Sequence, residues 1–173
     1  MLQGFVEWLE QTPASLFLSN TTDFWTWLII PLSQCVHIIS IAVLLISVGI
    51  LNLRLLGLQN SRQSFAQLAG YLMPWIWTSL IVLFVTGTLQ TVAEPGRELL
   101  NIGFKVKMLL LAVVVLVTLF YERSLRRDPQ YWEFSPERRR MGKVLASVSL
   151  ILWIGIATSG RLIAYLDMRT GDF

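Results

Sequence analysis

Polar and apolar positions change over long blocks in this chain. Four apolar stretches, at 25–51, 71–92, 103–122 and 143–166, are separated by short polar segments. The first contains no charged residue, and the second lies in a charge-free interval between Arg62 and Glu94. Each approaches or exceeds the ~20 residues that a helix needs to cross ~30 Å of hydrocarbon. Lipid offers the backbone no hydrogen-bond partners, so segments that cross it this way are helices. The period-two alternation of a membrane barrel strand is absent. The pattern predicts an all-α protein, a transmembrane four-helix bundle forming one domain over residues 1–173.

The connections carry the charge. Arg54 and Arg62 lie between the first and second spans. Arg123, Arg126, Arg127, Arg138, Arg139, Arg140 and Lys143 lie between the third and fourth. In a four-span chain both connections face the same side, and basic residues favour the cytoplasm. Both termini are then expected outside, with Glu7, Glu10 and Asp23 at one end and Asp167 and Asp172 at the other. The opening MLQGFVEWLEQT puts Leu2, Phe5, Val6 and Leu9 near one face, which predicts a short interfacial helix. It lacks the basic start and apolar core of a cleavable signal peptide. Asn60 to Ala69 reads as a helical entry to the second span, and Pro95-Gly96 reads as a turn. Ser135-Pro136 reads as an N-cap and first-turn pair for the fourth helix.

Composition confirms the solvent. Apolar residues make up 54% and charged residues 14%, against about 25% charged in a soluble domain. That argues against disorder, a nucleic-acid arm and an ordinary cytosolic enzyme. The formal net charge of +3 sets orientation and implies no nucleic-acid partner. The one cysteine, Cys35, allows neither an intramolecular disulfide nor a thiolate metal cluster. No G-x-S-x-G, H-E-x-x-H or Gly-rich phosphate loop occurs, so an independent enzyme is not expected.

Helical spacing assigns the faces. Ser33, His37, Ser40 and Ser47 fall within an arc of about 80° on the first span. Such a polar stripe belongs in the bundle interior. Trp75, Ser79, Thr86 and Gln90 share a face on the second span, and Lys107, Val114, Thr118 and Tyr121 on the third. Ala146, Ser149, Trp153, Ala157, Gly160 and Ala164 share one on the fourth, where small residues allow close approach. Lys105, Lys107 and Arg161 fall near the outer helix ends. Two readings stay open for them: snorkelling to the headgroups, or a cationic rim for haem propionates or a carboxylate. Arg161, flanked by Ala157 and Ala164, is expected to point inward.

His37 is the only histidine. It sits about 18 Å below the outer end of its span, and an intramembrane histidine is a candidate functional group. It could ligate haem iron, serve a quinone or a proton, or simply bond a neighbouring hydroxyl or another helix. One histidine supplies only one axial ligand. Cys35 and His37 lie about 160° apart on a helix, which disfavours a shared copper ion.

Four segments carry a resemblance: PLSQCVHIISIAVLLISVGILNLRLLGL, VTGTLQTVAEP, NIGFKVKMLLL and LWIGIATSGRLIAYL. The chain resembles a family of small, largely uncharacterised bacterial integral membrane proteins. A looser likeness links it to the CopD copper-resistance membrane domain. The matching positions are His37, Arg54 to Gly57, Phe104-Lys105 with Lys107, and Gly160-Arg161 with Ala164. Asn52 stands where the family has an acidic residue. The resemblance implies a multi-pass protein of the bacterial inner membrane and supplies no activity. The expected function is a haem b- or quinone-associated electron-transfer or anchoring subunit. His37 would be the cofactor and metal ligand, and Lys105, Lys107 and Arg161 would hold anionic groups. The alternatives are a CopD-like copper transporter and a structural subunit without its own site. Expected partners are the lipid bilayer and other membrane subunits or further copies of the chain.

Overall fold

The computed structural model describes residues 2–20, 22–58, 63–132 and 134–166, with side chains except at Trp25 and 162–166. Arg62, Asn60, Asp167 and Asp172, and the side chain of Ala164, lie outside the described residues. Seven helices form among those described: α1 (Leu2–Glu10), α2 (Pro13–Ser19), α3 (Phe24–Leu56), α4 (Phe65–Ala93), α5 (Pro95–Leu99), α6 (Ile102–Arg127) and α7 (Pro136–Leu166). The helices α3, α4, α6 and α7 are long and apolar enough to cross a membrane. They form the four-helix bundle that the apolar pattern predicts.

The helices overrun the apolar runs, chiefly at the basic end. Hydropathy marks where lipid begins, whereas capping marks where a helix stops. The helix α3 runs on to Gly57, which takes a left-handed φ of 78° and donates its N–H to the carbonyls of Leu53 and Arg54. Ser64 and Gln67 form a capping box that starts α4. Ser135 Oγ accepts from the Arg138 N–H at 3.3 Å, so α7 begins at Pro136 as the Ser-Pro pair predicts. Pro95-Gly96 is not a plain turn. Pro95 opens the five-residue helix α5, its missing N–H costing nothing in a first turn.

Around the bundle, α3 packs on α4 and on α7, and α6 packs on α7. The fourth edge, α4 against α6, is wider and bridged by long side chains. Phe65 and Tyr121 meet edge to face at 6.4 Å, and Trp77 Nε1 donates to Glu122 Oε2 at 2.9 Å. At the other end α1 rests on α5, and α2 on α4. Val6 is buried while Leu2, Phe5 and Trp8 stay exposed, as a surface helix requires.

Polarity is distributed as a lipid-embedded bundle demands. Ser33, Ser40, Ser47, Thr86, Thr118, Ser149 and Ser159 are buried. Ile39, Ile46, Phe84, Leu109, Leu116 and Ile151 are exposed. Most interior hydroxyls donate to carbonyls of their own helix: Ser40 to Val36, Ser47 to Val43 and Thr118 to Val114. A self-satisfied small side chain lets two helices approach without an orphaned donor.

Two facing expectations need correction. Trp75 is exposed, although Ser79 and Thr86 on its predicted face are buried. Ala157 and Arg161 are exposed as well. Beyond Trp153 the interior track of α7 follows Ile156 and Ser159. A helix of 3.6 residues per turn presents i+3 and i+4 on either side of a straight line, and here i+3 wins. Arg161 therefore lies on the exposed side of α7.

Candidate functional site around His37

His37 enters the bundle from the middle of α3 and meets α4. Its Nδ1 lies 2.7 Å from Thr86 Oγ1. Thr86 Oγ1 in turn donates to the Val82 carbonyl at 2.7 Å. A hydroxyl has a single proton. With that proton on Val82 O, Thr86 can only accept from the ring, so Nδ1 carries the hydrogen and Nε2 carries the lone pair. Nε2 has no hydrogen-bond partner among the described residues. The stripe is interior, with Ser33 and Ser40 buried and His37 half-buried.

The local sequence explains the fit. Gly87 follows Thr86, and a Cβ there would come within 3.6 Å of His37 Cε1. A side chain there would sit in ordinary contact with the ring. Ser33, one turn before His37, directs its hydroxyl at the Thr86 carbonyl at 3.5 Å, at the limit of bonding distance. Gln90, one turn beyond Thr86, has a buried amide nitrogen without a partner among the described residues.

Lys107 of α6 is half-buried on the same side. The chain of Lys107 runs over Gly160, where a Cβ would stand 4.0 Å from Cδ. Two contacts thus tie the helices in pairs: His37 of α3 to Thr86 of α4, and Lys107 of α6 over Gly160 of α7.

Of the predicted site residues, His37 and Lys107 are half-buried. Lys105 is exposed near the start of α6 and Arg161 is exposed on α7. Cys35 is exposed too, away from the His37 contact with α4. No three His, Cys, Asp or Glu side chains group as a metal cluster among the described residues. Thr86 as the histidine's partner was not readable from the sequence. Facing places it in the interior, but periodicity does not say which helices meet.

A family model matches residues 5–166, which takes in the four long helices. The chain belongs to DUF6644, a family of unknown function. No curated protein and no solved structure matches it. The chain is an integral membrane protein of a family of unknown function, and its site is read from its own residues.

Proposed function

We propose that this DUF6644 protein is a haem b-binding subunit of a bacterial inner-membrane electron-transfer complex, held with its basic end in the cytoplasm and both termini outside. The observation that carries the reading is the His37–Thr86 contact. A metal-ligating histidine is commonly fixed by a hydrogen bond at its other ring nitrogen, which sets tautomer and orientation. Thr86 is in position to do this and leaves the Nε2 lone pair available. The donor set fits a haem iron on these grounds: a neutral imidazole in an apolar bundle, with a cationic Lys107 beside it for a propionate. Bound haem would supply one-electron redox chemistry. His37 would hold it, Thr86 would orient His37, and Lys107 would balance its charge. Any further protein ligand would come from a partner subunit or a second copy.

A quinone is the second reading, favoured by the same lone pair, which can accept the proton of a quinol hydroxyl. Copper transport in the manner of CopD gains less support. Met73 is buried towards the basic end and Met108 is exposed, so neither joins His37. The test is a visible spectrum, oxidised and dithionite-reduced, of protein purified in mild detergent beside His37→Ala. A Soret band with sharp reduced bands, absent in the variant, is the expected result. A band unchanged by His37→Ala would overturn the assignment. A flat spectrum with bound quinone in the lipid extract would favour the second reading.

A further inference from the structure

The outward face of α4 differs from that of α6. Tyr71, Pro74, Thr78, Ile81 and Val85 are all exposed there, at the alternating spacing of a coiled-coil seam. Gly70 and Trp75 are exposed on its two flanks. The midspan of α6 presents aliphatic and aromatic carbon to lipid at Leu109, Val113, Leu116 and Phe120. The α4 face instead carries hydrogen-bond donors: the Tyr71 hydroxyl, the Trp75 indole N–H and the Thr78 hydroxyl. None has a partner among the described residues. Thr78 decides the matter, because it lies close to the midpoint of α4 and so within hydrocarbon. The exposed hydroxyls of Thr88, Ser147 and Thr158 each donate to a carbonyl of their own helix. That of Thr78 does not. The face also carries an acceptor. Pro74 has no N–H, so the Gly70 carbonyl lacks its donor four residues on. Hydrocarbon satisfies none of these groups.

We propose that this face pairs with the same face of a second copy of the chain. All copies cross the membrane in one sense, so the two α4 helices run parallel about a two-fold axis along the membrane normal. Tyr71, Thr78 and Val85 then take the a positions of a heptad, and Pro74 and Ile81 the d positions. Gly70 falls at g and Trp75 at the next e. In a parallel pair a g residue lies across from the following e residue of the other helix. Trp75 of one copy therefore faces Gly70 of the other, and the two are matched. Helix side chains lean towards the N-terminus, which carries the indole back towards the level of the Gly70 carbonyl. A Cβ added to Gly70 would meet nothing within 4 Å, so the ring has room. The indole N–H donates to the freed carbonyl, and the two-fold axis repeats the bond. The two Thr78 hydroxyls meet close to the axis, one donating and one accepting. Donor and acceptor thus come from one strip of one helix, which is what a second copy supplies and a lipid tail does not. The pairing stands whether or not His37 holds a cofactor.

Two measurements on the full chain in phosphatidylcholine–phosphatidylglycerol vesicles test this. The first is oxidative crosslinking in a Cys35→Ser background. Thr78→Cys is expected to give a disulfide-linked dimer, whereas Leu116→Cys, on the outward face of α6, is not. The second is energy transfer between labelled copies as the protein-to-lipid ratio falls. Trp75→Phe removes the indole donor, and Pro74→Ala returns an N–H to the Gly70 carbonyl. Each is expected to weaken association about eightfold, since the two-fold axis counts a bond between membrane helices twice. Pro74→Ala makes α4 itself more regular, so a loss there does not come from misfolding. Equal crosslinking at Thr78→Cys and Leu116→Cys, no dimer at any protein-to-lipid ratio, or association unmoved by both α4 substitutions would overturn the proposal.

Discussion

Trp77 Nε1 and Glu122 Oε2 meet at 2.9 Å across the widest edge of the bundle. Glu122 also receives Arg126 one turn along α6. The carboxylate therefore joins α4 to α6 where their backbones stay apart. A hydrogen bond to a charged group contributes about 1.5–3 kcal/mol. Trp77→Phe is expected to lower thermal stability in detergent by an amount in that range. Glu122→Gln, which keeps an acceptor, should cost less. Thermal melts followed by circular dichroism decide this, and equal melting temperatures for wild type and Trp77→Phe would remove the bond from the account.

Thr86 should control the His37 ring without being a ligand. Thr86→Val preserves shape and removes the acceptor, while Thr86→Ser keeps the hydroxyl. Outer-shell partners are worth roughly 10–100-fold in metal affinity. Haem titration should show a loss of that order for Thr86→Val and rescue by Thr86→Ser. Matching losses in both variants would point to packing instead.

Asn52 is buried on α3, and its Nδ2 donates to Ser149 Oγ of α7 at 3.1 Å. Its Oδ1 has no partner among the described residues. Asn52→Ala is expected to cost about 1–3 kcal/mol. Asn52→Asp should cost more, since it buries a carboxylate without a counter-charge. A double-mutant cycle with Ser149→Ala should return a coupling near 1 kcal/mol. A coupling of zero would mean the pair merely shares space.

Glycines separate by what surrounds them. A Cβ at Gly142 would lie 3.2 Å from Trp132 Cε3 and 3.4 Å from Leu55 Cδ2, both in packed surroundings. Gly142→Ala is expected to cost about 1–3 kcal/mol through overpacking. Gly70 has nothing within 4 Å of its added Cβ, and Gly70→Ala on a regular helix should gain about 0.5–1 kcal/mol. Comparing the two melting temperatures in one detergent checks both signs.

The architecture was legible because hydrocarbon thickness writes itself into the length of apolar runs. The serine stripe was legible too: Ser33, Ser40 and Ser47 are buried as their spacing requires. His37 stood out as the one histidine, set in a charge-free span. Its pairing with Thr86 was not legible, because helical period orders one helix and says nothing of its neighbour's register. Arg161 was misplaced by the same limit: Ala157 and Ala164 suggested an interior track that α7 follows one position away. The helix ends were missed because Gly57 and the Ser64–Gln67 box act beyond the apolar window. Arg54, Arg139 and Lys143 line one cavity at the basic end although some eighty-odd positions separate the first from the others, which only the fold brings together.

The segment between α6 and α7 behaves as two different materials within three residues. Gln130 is exposed, whereas Trp132 is buried with Phe120, Tyr121 and Tyr131 ringed around it at centroid distances of 5.0–5.9 Å. The indole is a cork pressed into the bundle's mouth, and the chain before it is a turn exposed at Gln130. A reporter domain spliced in after Gln130 should leave the bundle intact, while the same splice after Trp132 should pull the cork and lower expression. Tagging this membrane protein for localisation therefore depends on a choice of two residues.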